Sequence, residues 1–375
     1  MTNDSLRIGV IGGSLGGLFA AALLTRAGHD VTVLERSAVG LARRGAGLVG
    51  QQELFDILAR LGLTGVTRSG VVAHERITLD RRGEVVYRDP SPQTQFSWDY
   101  LYEGLLSVIP PERYLLDRAV VRVDDRGSEA VVVMEEGRTE TFDLVIGADG
   151  LNSVARSAVA PERAANHYVG YVTWRGLVPE AALPTAAAHT LLERFAFFTG
   201  PHSHMLGYLV PGPDGQTARG ERRYNWVWYR SLVLSDLEEL MASCGRPAGS
   251  GSLAPGDLPP DLRETLIRAA ASELPAQFAE AVNAEPRPFL QAIYDYVAPV
   301  MATDAVALVG DAAVVVRPHT AMGAAKAAGD AMALADLLAS EYTVSDALRT
   351  YNQDRLPVGR SIARYGQQLG ASLPL

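Results

Sequence analysis

The first 35 residues follow a pattern that few folds accommodate: apolar strand, glycine-rich turn, helix, second apolar strand, terminal acid. Leu6 to Ile11 reads as a buried strand, Leu15 to Arg26 as a helix, and Val31 to Glu35 as a second strand. Both strands are apolar throughout rather than alternating. That is the mark of a parallel sheet covered on both faces, because a βαβ crossover puts helices over it.

The turn, Gly12-Gly13-Ser14-Leu15-Gly16-Gly17, carries the chemistry. A glycine here lets the backbone approach a pyrophosphate, and the helix start offers free N–H groups and a positive dipole end. Ser14 stands where the second glycine of GxGxxG is usual; it is the next smallest residue and brings a hydroxyl. Gly17 keeps the third position and permits tight helix–strand packing. Glu35 ends the second strand about 20 residues on, where a carboxylate can accept from a ribose hydroxyl. Gly12, Ser14, Leu15, Gly17, Glu35 and the adjoining Arg36 are therefore candidate dinucleotide contacts. The motif alone does not separate FAD from NAD.

The middle of the chain changes character. Ala73 to Tyr87 alternates polar and apolar, and VVRVDD with EAVVVMEE reads as a hairpin closed at Arg126–Gly127–Ser128. DLVIGADG returns as a buried strand and turn. His167 to Val233 is rich in aromatic and β-branched residues, as in a sheet with one face lined by large side chains. Residues 244–260 read as loop. Helices follow at about Asp261–Ala271, Pro275–Ala284, Met322–Ser340 and Val344–Leu369. The expectation is an α/β fold: a discontinuous Rossmann-like nucleotide domain (1–72, 98–165, 285–375), an inserted β-sheet substrate domain (73–97, 166–284) and C-terminal helices.

A net charge of -9 argues against a nucleic-acid surface or an anionic membrane partner. No signal peptide or transmembrane run is read, and the single cysteine, Cys244, excludes an intrachain disulfide; a soluble cytoplasmic enzyme is expected. The seven histidines show no HExxH and the chain no CxxC, so no metal is expected. No Ser–His–Asp pattern stands out either.

Two later segments extend the reading. DLVIGADGLNSVAR (Asp143 to Arg156) and GDAAVVVRPHTAMGAAKAAGDA (Gly310 to Ala331) resemble signatures of the flavoprotein aromatic hydroxylases of the p-hydroxybenzoate hydroxylase type. YVGYVTWRG (Tyr168 to Gly176) resembles that family's entry into its substrate sheet. SWDYLY (Ser97 to Tyr102) and RPHTAMGAAKA are similar to the 2,6-dihydroxypyridine 3-hydroxylase branch. The resemblance covers most of the chain, in family order.

It implies FAD as the bound cofactor, with NADH or NADPH as a transient co-substrate and no second Rossmann motif. Asp149 and Arg156 match the motif linked to both nucleotides. Asp311 would hold the ribityl chain. Pro318, Gly323 and Ala324 would meet the flavin where a long helix begins, its N–H groups favouring negative charge on the reduced ring. Two departures stand out: Ala321-Met322-Gly323 replaces the usual GQG, and Trp98 replaces a common arginine, leaving Arg43 and Arg44 as alternative contacts.

The implied activity is hydroxylation of an electron-rich aromatic ring (hydroxypyridine or phenol type) with O2, through a flavin C4a-hydroperoxide. No protein nucleophile is needed. The alternative is a related flavoprotein performing epoxidation, N-oxidation or plain oxidation in secondary metabolism; a third reading is a non-enzymatic dinucleotide-binding protein. Substrate candidates come from the aromatic sheet: Trp174, Tyr208, Trp226 and Trp228, with His319 beside Pro318. His204, His319 and Tyr208 are the candidate catalytic groups, His204 as base. Alternation sets Trp226 and Trp228 on one face and Tyr229 on the other. A homodimer is a family expectation.

Overall fold

A computed structural model describes residues 5–42, 46–340 and 343–375. The N-terminal strand, Arg7–Ile11, is the centre of a five-stranded parallel sheet. Its neighbours are Asp30–Leu34 and Leu144–Gly147; Val306–Leu308 and Tyr114–Leu115 complete the edges. Ile8 and Val10 are fully buried, which explains the unbroken apolar runs. The helices Leu15–Arg26 and Gly323–Leu338 bury their alanine-rich surfaces in the same core. Small side chains let these helices approach closely.

The expected hairpin is present. Val120–Asp125 pairs with Ala130–Met134, and Gly127 takes the left-handed φ of +85° that the turn requires. A third strand, Thr139–Phe142, extends it.

The largest sheet has nine strands. Its central order runs Phe289–Val297, His167–Pro179, Arg223–Ser231, Ser203–Val210, Arg194–Gly200, then Glu75–Leu79 and Val85–Asp89. Phe289–Val297 belongs to this sheet, so the sheet extends past the boundary expected at residue 284. Gln93–Ser97 instead pairs with Gly47–Val49 and Val71–Ala73 in a small separate sheet. One face of the nine-stranded sheet is sealed by the helices Thr185–Leu191, Leu234–Ser243, Pro260–Glu273 and Ala276–Asn283, whose apolar residues join its core. The C-terminal helix, Val344–Ser372, packs back onto the nucleotide half, where Tyr351 Oη donates to Leu308 O at 2.8 Å. No helix among the described residues is long and apolar enough to cross a membrane.

Candidate active site

Backbone crowding explains the glycines of the first turn. Gly12 has φ of +100°, and a Cβ there would stand 2.5 Å from Ala148 O. A Cβ on Gly17 would fall 1.9 Å from Gly12 O. The turn is thus pressed against the end of the Leu144–Gly147 strand, leaving its outer side to a ligand. Ser14 stands at the N-cap of the Leu15–Arg26 helix in extended backbone, but its side chain caps nothing among the described residues. The first N–H groups of that helix stay available for phosphate oxygens.

Glu35 is 4% exposed. One of its oxygens accepts from Gly13 N and the other from Ser37 N, both at 2.8 Å. Each oxygen retains a lone pair, so the carboxylate can still receive ribose hydroxyls. Arg36 is exposed beside it. Arg44, like Arg43, lies outside the described residues.

Asp149 caps its own turn: one oxygen accepts from Val154 N at 2.6 Å and Ala155 N at 3.2 Å. Its other oxygen is buried and has no partner among the described residues, an unusual state that a ligand donor would relieve.

Arg156 turns out to be a brace. It is 1% exposed, stacked 3.6 Å over Tyr296, and donates to Ala312 O, Asp311 O, Ala164 O and Asn166 Oδ1. Its donors are spent on backbone and on Asn166, so its effect on a cofactor runs through the Asp311 loop. Lys326 grips that loop from the other side, its Nζ donating to Gly310 O at 2.8 Å. Asp330 pairs with Lys326 and Arg355 and accepts from Gly310 N. This buried network was not legible as a site; its signal was a lysine and an aspartate four apart on an alanine-rich helix.

Held from both sides, the Asp311 carboxylate faces an opening. Solvent reaches it, yet protein crowds it enough that desolvation raises its pKa despite Lys326 and Arg156. That combination describes the floor of a concave site. Pro318–Thr320 forms the next turn, and Ala321 follows with φ of +54°, strained for a residue with a Cβ. Gln51 Nε2 pins it by donating to Ala321 O at 3.0 Å. The Gly323–Leu338 helix then starts without a side-chain cap among the described residues, and a Cβ on Gly323 would meet nothing within 4 Å. Gly323 and Ala324 therefore present free N–H groups to open space.

The second wall is the uncovered face of the nine-stranded sheet. Register aligns Gln291, Thr173, Tyr229, His204 and Thr199 in one row across the strands. The next row is Phe289, Arg175, Val227, Leu206 and Phe197. Asn225 and Tyr208 stand opposite each other in the row after that. Asn225 Oδ1 accepts from Gly47 N, and Tyr208 Oη donates to Gly47 O at 3.2 Å, so this row is tied to the nucleotide half. Tyr208 and Ala321 also share one apolar cluster.

His319 closes the corner. Its ring centroid is 4.7 Å from that of Tyr229, which lies 5.6 Å from that of His204. Asp295 holds Arg317 in a bidentate pair, Arg317 donates to Tyr171 Oη, and Tyr171 Oη is 2.8 Å from His319 Nε2. Arg317 occupies only one acceptor site of the phenol oxygen, so the direction of its bond with Nε2 follows the imidazole tautomer. His319 Nδ1 is buried without a partner among the described residues. Burial lowers His204 to about 4 and, with His204 and Arg317 adding to it, His319 to about 4. Both are neutral at pH 7. Burial pushes Tyr208 up to about 12, opposed by the charge of Arg175.

His204, His319 and Tyr208 thus lie on one wall, but the tryptophans do not. Trp174, Trp226 and Trp228 are 6%, 0% and 0% exposed in the core under the helices, and Trp228 Nε1 donates to Ser203 Oγ. They cannot line this pocket. Alternation correctly separates them from Tyr229, but nothing in a strand's own sequence says which face the helices cover. Arg175 was missed; its signal was a charge in the middle of a strand of large apolar residues.

Among the described residues no cluster of His, Cys, Asp and Glu is placed to hold a metal. The groups present suit a dinucleotide: a glycine turn at one end, an acid for ribose, an acid at mid-cleft and a bare helix start at the other.

Comparison with known proteins agrees. A family model described as FAD binding domain matches residues 5–228 and 268–365. The chain is 30% identical to 2,6-dihydroxypyridine 3-monooxygenase of Paenarthrobacter nicotinovorans, covering all of this chain and 93% of the relative. It is also 30% identical to 3-amino-4-hydroxybenzoate 2-monooxygenase of Streptomyces cremeus, over all of this chain and 89% of that one. The solved structure of 2,6-dihydroxypyridine-3-hydroxylase from Arthrobacter nicotinovorans superposes with a TM-score of 0.91, over 99% of this chain and 93% of the other at 30% identity. With that match spanning both the glycine turn and the Gly323 helix, the chain belongs to the FAD-binding-domain family.

Proposed function

We propose that this protein is an FAD-dependent monooxygenase that hydroxylates an electron-rich aromatic ring, a hydroxypyridine or phenol, using NAD(P)H and O2. The observation that carries the reading is the meeting of two walls: the bare helix start at Gly323 beside Ala321, and the sheet face bearing Tyr208 and His204, against which His319 packs from the adjoining turn. The two relatives described above are, by name, monooxygenases of hydroxylated rings.

Residues Gly12, Ser14, Leu15 and Gly17 would hold the pyrophosphate and Glu35 the ribose. Asp149 and Asp311 would take hydroxyl or amide donors further along, and Pro318, Gly323 and Ala324 the ring. FAD, once reduced by the nicotinamide, supplies activation of O2 and transfer of one oxygen atom to the substrate. The free N–H groups and positive end of the Gly323 helix favour the negative charge that a reduced flavin carries. Buried Val227 and Tyr229 exclude water from the substrate side. Neutral His204 can accept a hydrogen bond from a ring hydroxyl, and His319 Nδ1, buried without a partner among the described residues, is left for a substrate polar group. Tyr208 is a phenol donor fixed by Gly47, which orients the ring against the sheet.

The test is to purify the protein and follow NADH and NADPH consumption with dihydroxypyridines, hydroxybenzoates and salicylate under 18O2. Yellow protein, oxidation stimulated by one ring class and a product carrying one labelled oxygen are expected. Oxidation without label in any product points to the plain-oxidase alternative. Colourless protein that stays apo with added FAD overturns the reading.

A further inference from the structure

Arg175 is a cation in the wrong place for a structural residue. Four other arginines at this sheet are matched: Arg222 with Glu180, Arg223 with Asp99, Arg194 with Glu75, Arg230 with Glu273. Arg76, on the same face but at the outer strands, shares the unpartnered buried Nε among the described residues; it donates to Gln93 Oε1 at 3.1 Å and has Asp89 across from it in the register. Arg175 has no carboxylate within ion-pair range among the described residues. Its flanking partners across the strands are Val227, which answers no charge, and Phe289, whose ring centroid lies 6.0 Å from the guanidinium carbon, a long and weak cation–π contact. Its one hydrogen bond runs from Nη1 to Gln291 Oε1 at 3.1 Å, and its Nε is buried without a partner among the described residues.

Position adds to this. Register puts Arg175 on the uncovered face, between the solvent-exposed Gln291 side and the row holding Tyr208. Its charge reaches inward, opposing the burial shifts of both Tyr208 and Tyr229. Leaving a guanidinium half-satisfied beside apolar neighbours is costly, and a ligand anion relieves it. The chain as a whole is acidic, at -9. An anionic ligand entering here meets a local charge opposite to that of the protein.

We infer that Arg175 is the specificity-determining residue of the substrate pocket, and that the aromatic ring accepted there carries an anionic oxygen which pairs with its guanidinium. This rests on the proposed aromatic substrate and narrows it. The anionic oxygen has two sources, a ring carboxylate or an ionised ring hydroxyl. A planar fork with Nε and an Nη facing one way suits either, and suits a carboxylate bidentately.

The test uses FAD-loaded wild type, Arg175→Gln and Arg175→Lys, with equal flavin content and melting temperature as the check on folding. Each is titrated with 3-hydroxybenzoate, its neutral isostere 3-hydroxybenzamide, and 2,6-dihydroxypyridine, read by perturbation of flavin absorbance and by equilibrium dialysis. A charge-assisted pair predicts at least about a tenfold loss of anion affinity in Arg175→Gln. The benzamide should change little, and lysine should restore part of the loss. Loss confined to 3-hydroxybenzoate assigns the carboxylate as the source; loss confined to 2,6-dihydroxypyridine assigns the ionised hydroxyl. Unchanged affinity for both, or equal loss for the neutral amide, overturns the role of Arg175 while leaving the aromatic reading intact. A wild type that binds none of the three rings removes both.

Discussion

On one face of the nine-stranded sheet, Trp174, Trp226 and Trp228 lie sealed beneath helices; on the other, His204, Leu206 and Arg175 alternate with such residues along the same strands and stay partly accessible. Both faces hold unpartnered polar atoms among the described residues, but of different kinds. Under the helices they include single neutral groups, Trp226 Nε1 and Tyr224 Oη. The open face also holds neutral ones, Asn225 Nδ2 and Ser231 Oγ, but adds the guanidinium nitrogens Arg175 Nε and Arg76 Nε, with His319 Nδ1 on the adjoining turn, groups able to answer a ligand's charge or proton. The difference teaches that one sheet can divide its labour by parity: one set of alternate residues anchors the core, and the other set is left for the recognition proposed above. Apolar burial on the anchored face offsets the cost of holding half-satisfied groups on the other.

The largest effect that could break this contrast is on stability. Trp226→Ala should cost about 3–5 kcal/mol in denaturant unfolding, because it opens a cavity in a sealed core. Folded Trp226→Ala should still bind FAD; a cost below about 1 kcal/mol would mean that the tryptophan faces the pocket after all. Next is a change that belongs to neither face. Asp311→Ala should weaken FAD binding about 100-fold, near 2.7 kcal/mol, in fluorescence titration. Full flavin occupancy in that variant would remove Asp311 from the cradle.

Acid titration sharpens the contrast further. His204 and His319 both have folded pKa values lowered from 6.5 to about 4. Between those values the unfolded chain binds protons that the folded chain does not. Stability is therefore intact above about pH 6.5 and falls as pH drops towards 4, by on the order of 3 kcal/mol for each histidine. His204→Asn should flatten part of that acid limb, measured as Tm against pH; an unchanged slope would place His204 in solvent. The smallest stability effect is at Tyr208. Tyr208→Phe removes one hydrogen bond to Gly47 and should cost less than about 1 kcal/mol. Turnover on the ring substrate should nonetheless drop about tenfold. A large stability loss with unchanged turnover would move Tyr208 to the anchoring side.

How much of this could be read from the sequence differs between the two halves for a physical reason. The roles proposed for Gly12, Gly17, Glu35 and Asp311 rest on backbone approach, strand ends and turns, which leave local and ordered marks in a chain. Their spacing to one another is set by a parallel sheet whose apolar runs are equally legible. The proposed substrate wall is assembled across strands far apart in sequence. Arg175, Val227 and Leu206 become neighbours only through register, and register depends on pairings that no single segment states. Alternation could separate Trp228 from Tyr229 but not say which would meet helices, since that depends on the chain after Val233 returning to cover one side. Arg156 matched a motif correctly and was still misread in kind: a guanidinium that braces two loops looks, in sequence, like one that grips a cofactor. Lys326 and Asp330 were hidden in an alanine-rich helix because their partner Gly310 lies in a separate turn.

The most direct test is a crystal structure of the FAD-loaded protein with 3-hydroxybenzoate or 2,6-dihydroxypyridine bound. The expected result has the dinucleotide running from Gly12–Gly17 and Glu35 past Asp311 to the start of the Gly323 helix, and the aromatic ring against the face that carries Tyr208, His204 and Arg175. A ring seated instead among Trp174, Trp226 and Trp228, or a nucleotide that does not reach Glu35 and Asp311 together, would contradict it.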